Sequence, residues 1–317
     1  MASNDRDVPG APYLRDHVLR LYPGATVLSL EPLGPDGGAT SGATTKAAGY
    51  GLPVRIVVSD RGVRRELVWR VASANDYGHD RRSDRAAAMV QAFDDFERMP
   101  QHVRALDLGV IRAGGELTSI RDATEHYLIT TYAPGTLYAH DLRRIAAEHI
   151  ATPRDVERID TLARYLAALH TPIDPRDAAS PIDPTGMRPP GPRYRRAIRD
   201  LLGSGEGIFG IIDGYPEGVP GAPRDRLREI EERCATWRWR LRDRDDRLTR
   251  THGDFHPFNI VFDGDTPTLL DASRGSCGDP ADDVTALAIN FLLFALDARA
   301  SWSHGLGVLW RHLWHRY

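Results

Sequence analysis

The sequence predicts an α+β fold in two parts. An N-terminal antiparallel sheet carries one helix, and a larger, mainly helical region follows. Three observations carry this expectation. Short β-rich runs bounded by turn residues fill the chain up to Ala133, with one amphipathic helical stretch among them. Beyond Ala133-Pro134-Gly135 the hydrophobic pattern takes up the helical period. At 317 residues the chain is long enough for two lobes and for a sizeable core. The lobes are expected at 1–131 and 132–317.

Residues 1–25 read as a loose lead-in with a short helix around LRDHVLRLY, and TVLSLEPLG (26–34) as the first strand. A Gly-, Ala- and Thr-rich loop follows at 35–51. PVRIVVSD (53–60) and RRELVWRVAS (64–73) alternate in polarity and meet at Arg61-Gly62, which predicts a hairpin. SDRAAAMVQAFDDFERM (83–99) predicts a helix with Ser83 as N-cap and apolar positions 86, 89, 90, 93 and 96. HVRALDLGVI (102–111) and HYLITTYA (126–133) read as further strands.

In the second part, VERIDTLARYLAALH (156–170) places Ile159, Leu162, Tyr165, Leu166 and Leu169 on one helical face. Residues 171–192, rich in Pro and Asp, read as a surface excursion. YRRAIRDLLGSGEGIFGIIDGYP (194–216), RDRLREIEERCATWRWRLRDR (224–244) and VLWRHLWHRY (308–317) supply more helix. Trp237 and Trp239 are expected in core and rim packing. The arginines at 193, 195, 196 and 199 are expected to face solvent.

Composition narrows the function. The formal net charge is -3, so bulk electrostatics point to neither nucleic acid nor a membrane as partner. No cationic segment precedes an apolar run at the N-terminus, so no signal peptide is expected. ALAINFLLFAL (286–296) is too short to span a bilayer and reads as a buried helix. Two cysteines, Cys234 and Cys277, make neither a disulfide framework nor a zinc ribbon, which fits a reducing, cytoplasmic setting. Lys46 is the only lysine, so any other fixed cation must be an arginine. Lys46 itself reads as a solvated loop residue.

The chemistry concentrates in HGDFHPFNIVF (252–262). His252, Asp254 and Asn259 fit H-x-D-x-x-x-x-N, the spacing of a kinase catalytic loop. The strand NIVF, a turn at Asp263-Gly264 and the returning TLLD form a hairpin that delivers Asp271, twelve residues after Asn259. Phosphoryl transfer needs such a set: a carboxylate to accept the substrate hydroxyl proton, and amide and carboxylate oxygens for Mg²⁺. The bland alternative is a polar turn before a hairpin, but the spacing and the strand context favour the chemical reading. A two-metal phosphatase would need further ligands in matching contexts. His79-Asp80 and His140-Asp141 sit in unlike surroundings.

HGDFHPFNI followed by LLDASRGSCGDPADDV resembles the aminoglycoside phosphotransferase family, which includes choline, homoserine and fructosamine kinase relatives. ARYLAALH is similar to the family's helix ending in Leu-His, and LITTYAPG to its hinge. The resemblance implies a two-lobed, protein-kinase-like fold with a nucleotide-binding first lobe and a catalytic second lobe. It implies ATP and Mg²⁺ as cofactors and a small-molecule hydroxyl as substrate, chosen by the helical region around 172–235.

Carried over, Asp254 is the catalytic base, His252 and His256 brace its loop, and Asn259 and Asp271 hold Mg²⁺. Asp279 and Asp283 are structural supports. Thr131 and Ala133 lie on the hinge that meets adenine. The position of the family's phosphate-binding lysine holds Arg70, which can pair with phosphate without being its equivalent. Asp84 is the nearest carboxylate for its ion pair. The glycines at 37, 38, 42, 49 and 51 are scattered and form no compact phosphate loop. These departures keep a second class open: a kinase-like protein that binds nucleotide or a partner without chemistry.

Overall fold

The computed structural model describes residues 8, 10–33, 53–75, 78–172, 189–272 and 275–317. The loop expected at 35–51, with Lys46, and most of the excursion expected at 171–192 lie outside them. The described chain forms two compact units that divide between Leu128 and Ile129. The architecture is α+β, with an antiparallel sheet in the first unit and a mainly helical second unit.

In the first unit, helix α1 (Ala11–Leu21) turns Ala11, Leu14 and Val18 toward a small core. Strands β1 (Ala25–Pro32), β2 (Val54–Asp60) and β3 (Val63–Trp69) form an antiparallel sheet in that order. Val54, Ile56 and Val58 alternate along β2 and meet α1 in the core, where Leu67 and Trp69 also pack. The hairpin forms as predicted, although its second strand ends at Trp69 and residues 70–73 are irregular. Asp60 pairs with Val63, and the two turn residues Arg61 (φ 52°) and Gly62 (φ 82°) are both left-handed, as a primed hairpin turn requires.

Helix α2 (Arg82–Asp95) departs from expectation in two ways. Its N-cap is Arg81, whose N–H donates to the Asp84 carboxylate at 2.9 Å, so Ser83 lies inside the first turn. None of its described residues is buried: Met89, Val90 and Phe93 are half-buried, as is Phe96 just past its end, and Ala86 is exposed. Only Gly109–Ile111 of the predicted strand at 102–111 forms one (β4), paired with β5 (Leu117–Ser119).

The strand expected at 126–133 is corrected. The segment is irregular, and Tyr127, Leu128, Ile129 and Tyr132 are 82–88% exposed. Its β-prone side chains meet no partner strand among the described residues, and strand preference is realised only through such partners.

The second unit begins its regular structure with β6 (Thr136–Leu137), α3 (Tyr138–Glu148) and α4 (Pro153–Leu169). Thr152 caps α4, its N–H donating to Asp155 Oδ2 at 2.7 Å. Arg144 grips the same carboxylate at 2.6 and 2.7 Å. Burial alone would raise Asp155, but Arg144 and Thr152 outweigh it and hold the group below the usual carboxylate range. Next come α5 (Pro190–Gly203), α6 (Ile208–Asp213) and α7 (Arg224–Arg240). Strands β7 (Thr249–Arg250), β8 (Ile260–Asp263), β9 (Thr266–Leu269) and β10 (Cys277–Gly278) follow. Helices α8 (Pro280–Leu296), α9 (Ser301–His304) and α10 (Leu306–Arg316) close the described chain.

The core of this unit joins Leu142 and Ile145 of α3 to Ile159, Leu162 and Leu166 of α4, Leu287 and Phe291 of α8, and Leu309 and Leu313 of α10. The expected face of α4 is thus mostly borne out, although Tyr165 is 36% exposed. α8 is only half-buried, because Ile289, Leu292, Leu293 and Leu296 face outward. Trp237 and Trp239, expected in packing roles, are 55% and 64% exposed. Among the described residues no helix is long and apolar enough to cross a membrane.

Candidate active site

β7 and β10 pair antiparallel, and the chain leaves β7 into the loop at 251–256. Burial alternates along it. Gly253, Phe255 and Pro257 are buried, whereas Asp254 and His256 are half-buried and Phe258 is exposed. Phe255 is the anchor: fully buried, it stacks on Tyr165 with ring centroids 5.9 Å apart and meets the edge of His252 at 5.8 Å. Gly253 takes φ 81°, a left-handed turn that an L side chain would strain. The anchor and the turn together lift Asp254 and His256 out of the core.

A single 3₁₀ turn, Pro257–Asn259, begins at His256, whose Nδ1 accepts from Phe258 N–H at 3.2 Å. A neutral ring accepting at Nδ1 carries its proton at Nε2. Nε2 lies 3.2 Å from Asp254 Oδ2, so its proton faces that carboxylate. Asn259 Nδ2 donates to the same oxygen at 2.9 Å and to the Asp254 carbonyl at 3.1 Å. The 3.3 Å approach of Asn259 Nδ2 to His256 Nε2 is then a meeting of two donors on one carboxylate oxygen. With both amide hydrogens turned to Asp254, the Asn259 carbonyl oxygen points elsewhere.

The hairpin register sets Asp271. Ile260 pairs with Leu269, and Leu270 N–H donates to Asn259 O at 2.9 Å. Asp271 therefore emerges at the same end of the hairpin as Asn259. It is exposed, holds φ 53°, and makes no hydrogen bond or ion pair with the described residues.

The loop is braced from below. Asp283, fully buried in the first turn of α8, accepts from His252 N–H and Gly253 N–H, both at 2.8 Å. His170 Nε2 approaches the same carboxylate at 3.1 Å, and Tyr317 Oη lies 2.8 Å from His170 Nδ1. Asp279 caps α8 through Ala281 N–H at 2.9 Å, and Arg247 grips it with two bonds of 2.7 Å. Tyr194 donates to it at 2.6 Å. Burial would raise Asp279, but Arg247, Tyr194 and Ala281 N–H hold it below the usual range. The Tyr194 phenol is pushed up by burial and by Asp279.

Arg158 fixes the far end of the hairpin. It donates to Gly264 O at 2.6 Å, pairs with Asp141 and lies 4.5 Å over the Phe262 ring. Asp141 of the His140-Asp141 pair is thus engaged in packing the hairpin. Beside the loop, an open notch of about 340 Å³ is lined by Asp200, Thr251, Gly253, Cys277, Asp279 and Asp282.

The nucleotide-side residues fare differently. Arg70 follows β3, is exposed, and faces away from the core that takes Leu67 and Trp69; Val71 is exposed as well. Among the described residues Arg70 has no ion-pair partner. Asp84 takes the capping position on α2. Thr131 is exposed and Ala133 half-buried in the irregular segment just after the division between the units.

Arg247, Tyr194 and Tyr317 were not foreseen from sequence. Their partners lie 32, 85 and 147 positions away, a separation at which no local pattern can mark a pair. The Asp279-Pro280 step, an N-cap followed by proline, is the one local signal for this brace.

Three solved structures are similar to the chain at low scores. Glucosamine kinase (crystal form B) has a TM-score of 0.32 and 15% identity, covering 95% of this chain and 70% of that one. The aminoglycoside-3'-phosphotransferase of type VIII has 0.30 and 19%, covering 95% and 91%. Macrolide 2'-phosphotransferase type I has 0.25 and 18%, covering 94% and 81%. Scores this low carry no argument about shape or chemistry. No curated protein matches the chain. The model of the phosphotransferase enzyme family matches residues 54–317, from β2 through the loop, the hairpin and the braces, and the chain belongs to that family.

Proposed function

We propose that the chain is an ATP- and Mg²⁺-dependent kinase that transfers the γ-phosphoryl group to a hydroxyl of a small molecule. The observation that carries this reading is the grip on Asp254. One carboxylate oxygen is held by Asn259 at 2.9 Å and His256 at 3.2 Å, on a loop whose backbone is fixed by buried Asp283. A carboxylate so oriented can accept the hydroxyl proton as the oxygen attacks phosphorus. His256 and Asn259 set its orientation, and His252 supports the loop backbone, its Nδ1 accepting from Asp254 N–H at 3.3 Å.

The donor set suits Mg²⁺. The Asn259 carbonyl oxygen and the Asp271 carboxylate are hard oxygen ligands at one end of one hairpin, and they would hold the ion. When bound, the ion neutralises charge on the nucleotide phosphates. In this proposal residues 1–131 form the nucleotide lobe, with Arg70 on phosphate and Thr131 and Ala133 near adenine. Residues 132–317 form the catalytic lobe, and the acceptor enters through the notch beside Gly253. A cytoplasmic location belongs to the same proposal.

A second reading has one specific observation behind it. Asp84 caps α2 and Arg70 lacks a carboxylate partner among the described residues, an arrangement that also suits a kinase-like protein that binds without chemistry. Asp254→Ala separates the two. Parent turnover with a hydroxyl acceptor should fall by about 10²–10⁴-fold in the variant, with nucleotide binding intact. Turnover equal to the parent's refutes the assignment of the base. Asp271→Ala should lose the Mg²⁺-dependent rise in melting temperature given by ATP or GTP. A parent that binds nucleotide tightly yet phosphorylates nothing across a broad hydroxyl panel favours the second reading.

A further inference from the structure

The arginines of α7 divide into two groups. Before Trp237 they face acidic partners: Arg226 and Arg233 reach Glu229 at 3.5 and 2.5 Å, and Arg228 reaches Asp225 at 3.3 Å. Beyond it, Arg238 and Arg240 of the helix and Arg242 just past its end have no acidic partner among the described residues. Their guanidinium groups lie against indoles instead. Arg242 is 5.0 Å and Arg238 is 6.0 Å from the Trp239 ring centroid, and Arg240 is 5.1 Å from that of Trp237. Arg195 of α5 is likewise without an acidic partner among the described residues, whereas its neighbour Arg196 binds Asp200 at 2.7 Å.

Arg195, Arg238, Arg242 and Trp239 line one notch with Ile198 and Leu241. Trp239 is 64% exposed there. The negative end of the α7 dipole accounts for basic residues in its last turn. It accounts neither for Arg195, which comes from another helix, nor for an indole left facing water.

We propose that this notch between α5 and the end of α7 binds a small phosphate-bearing ligand. An arginine stacked on an indole keeps its plane fixed and its N–H edge outward, the arrangement that meets phosphate oxygens in pairs. Two such cations, Arg238 and Arg242, joined by Arg195 from α5, match a phosphate dianion, and Trp239 offers apolar surface to the group that bears it. The notch is open, and its empty space of about 280 Å³ includes solvent, which suits a small ester held at the surface rather than an enclosed ligand. None of its residues belongs to the loop, the hairpin or their braces, and it shares only Ile198 with the lining of the notch beside Gly253.

Isothermal titration of the full chain with inorganic phosphate and with phenyl phosphate, without Mg²⁺ and at sodium chloride-matched ionic strength, tests it. The expected result is saturable binding, stronger for phenyl phosphate. It should weaken at least about tenfold in Arg238→Gln/Arg242→Gln and remain unchanged in Asp271→Ala. The arginines are at the surface, so the double variant should keep its circular dichroism spectrum and melting temperature. Undiminished binding in the double variant, no saturable binding of either compound, or binding only to phosphatidylglycerol vesicles overturns the proposal.

Discussion

Replacing Asp283 with alanine should cost the second unit more stability than its single position implies. The carboxylate is fully buried and holds three donors: His252 N–H and Gly253 N–H, each at 2.8 Å, and His170 Nε2 at 3.1 Å. Both backbone groups belong to buried residues. An alanine methyl leaves them unpaired, at roughly 1–3 kcal/mol for each buried donor. It also strands the His170 ring against an apolar gap. The expected loss is about 3–5 kcal/mol, in the range for breaking a buried charged cluster. That corresponds to a fall in melting temperature on the order of 10 °C. Urea and thermal unfolding of the ligand-free protein measure it, beside hydrogen exchange at the Gly253 amide, which should lose protection. Asp297→Ala, at the exposed other end of α8, is the control and should stay within about 0.5 kcal/mol. An Asp283→Ala shift no larger than the control's refutes the claim that this carboxylate holds the loop.

Two further outcomes are expected. Gly135→Ala should destabilise by about 2–4 kcal/mol in urea, since a Cβ there would lie 2.3 Å from Phe262 O at φ 124°; an unchanged midpoint would show that β6 can shift away from β8. Asp279 is held below the usual carboxylate range in the folded state, so its contribution to stability is complete above the ordinary unfolded value of about 3.9. It drains away as pH falls through the lower folded value. Asp279→Asn should therefore be less stable than the parent at neutral pH, and the difference should shrink toward pH 3; a pH-independent difference counts against the linkage.

The sequence was most legible where neighbours in the chain are neighbours in space. The β2–β3 hairpin needed only two alternating runs and a two-residue turn, and it forms in the expected register. The β8–β9 hairpin is similar, and with it the common end shared by Asn259 and Asp271. Legibility failed where an element depends on distant partners. Residues 126–133 have strand composition, yet a strand exists only when another backbone completes its ladder. α2 has the apolar spacing of a buried face, yet none of its described residues is buried. Spacing shows which residues share a face, not what covers it.

The two histidines of the loop show what geometry adds to a correct motif. In the sequence His252 and His256 flank Asp254 at equal distance and invite one role for both. The left-handed turn at Gly253 and the buried anchor at Phe255 separate them. His252 is 6% exposed, packs its edge on Phe255 and accepts at Nδ1 from a backbone N–H, so it shapes the chain. His256 stands on the open side, and its Nδ1 is committed to Phe258 N–H. That commitment fixes the proton on Nε2, facing Asp254 Oδ2. A glutamine at 256 could still donate to Asp254, but a single amide cannot also reproduce the rigid ring that caps the 3₁₀ turn. His256→Gln should therefore lower kcat with little change in KM for nucleotide, whereas His252→Gln should act first on stability. Equal effects of the two substitutions on both quantities would mean that burial does not divide their roles.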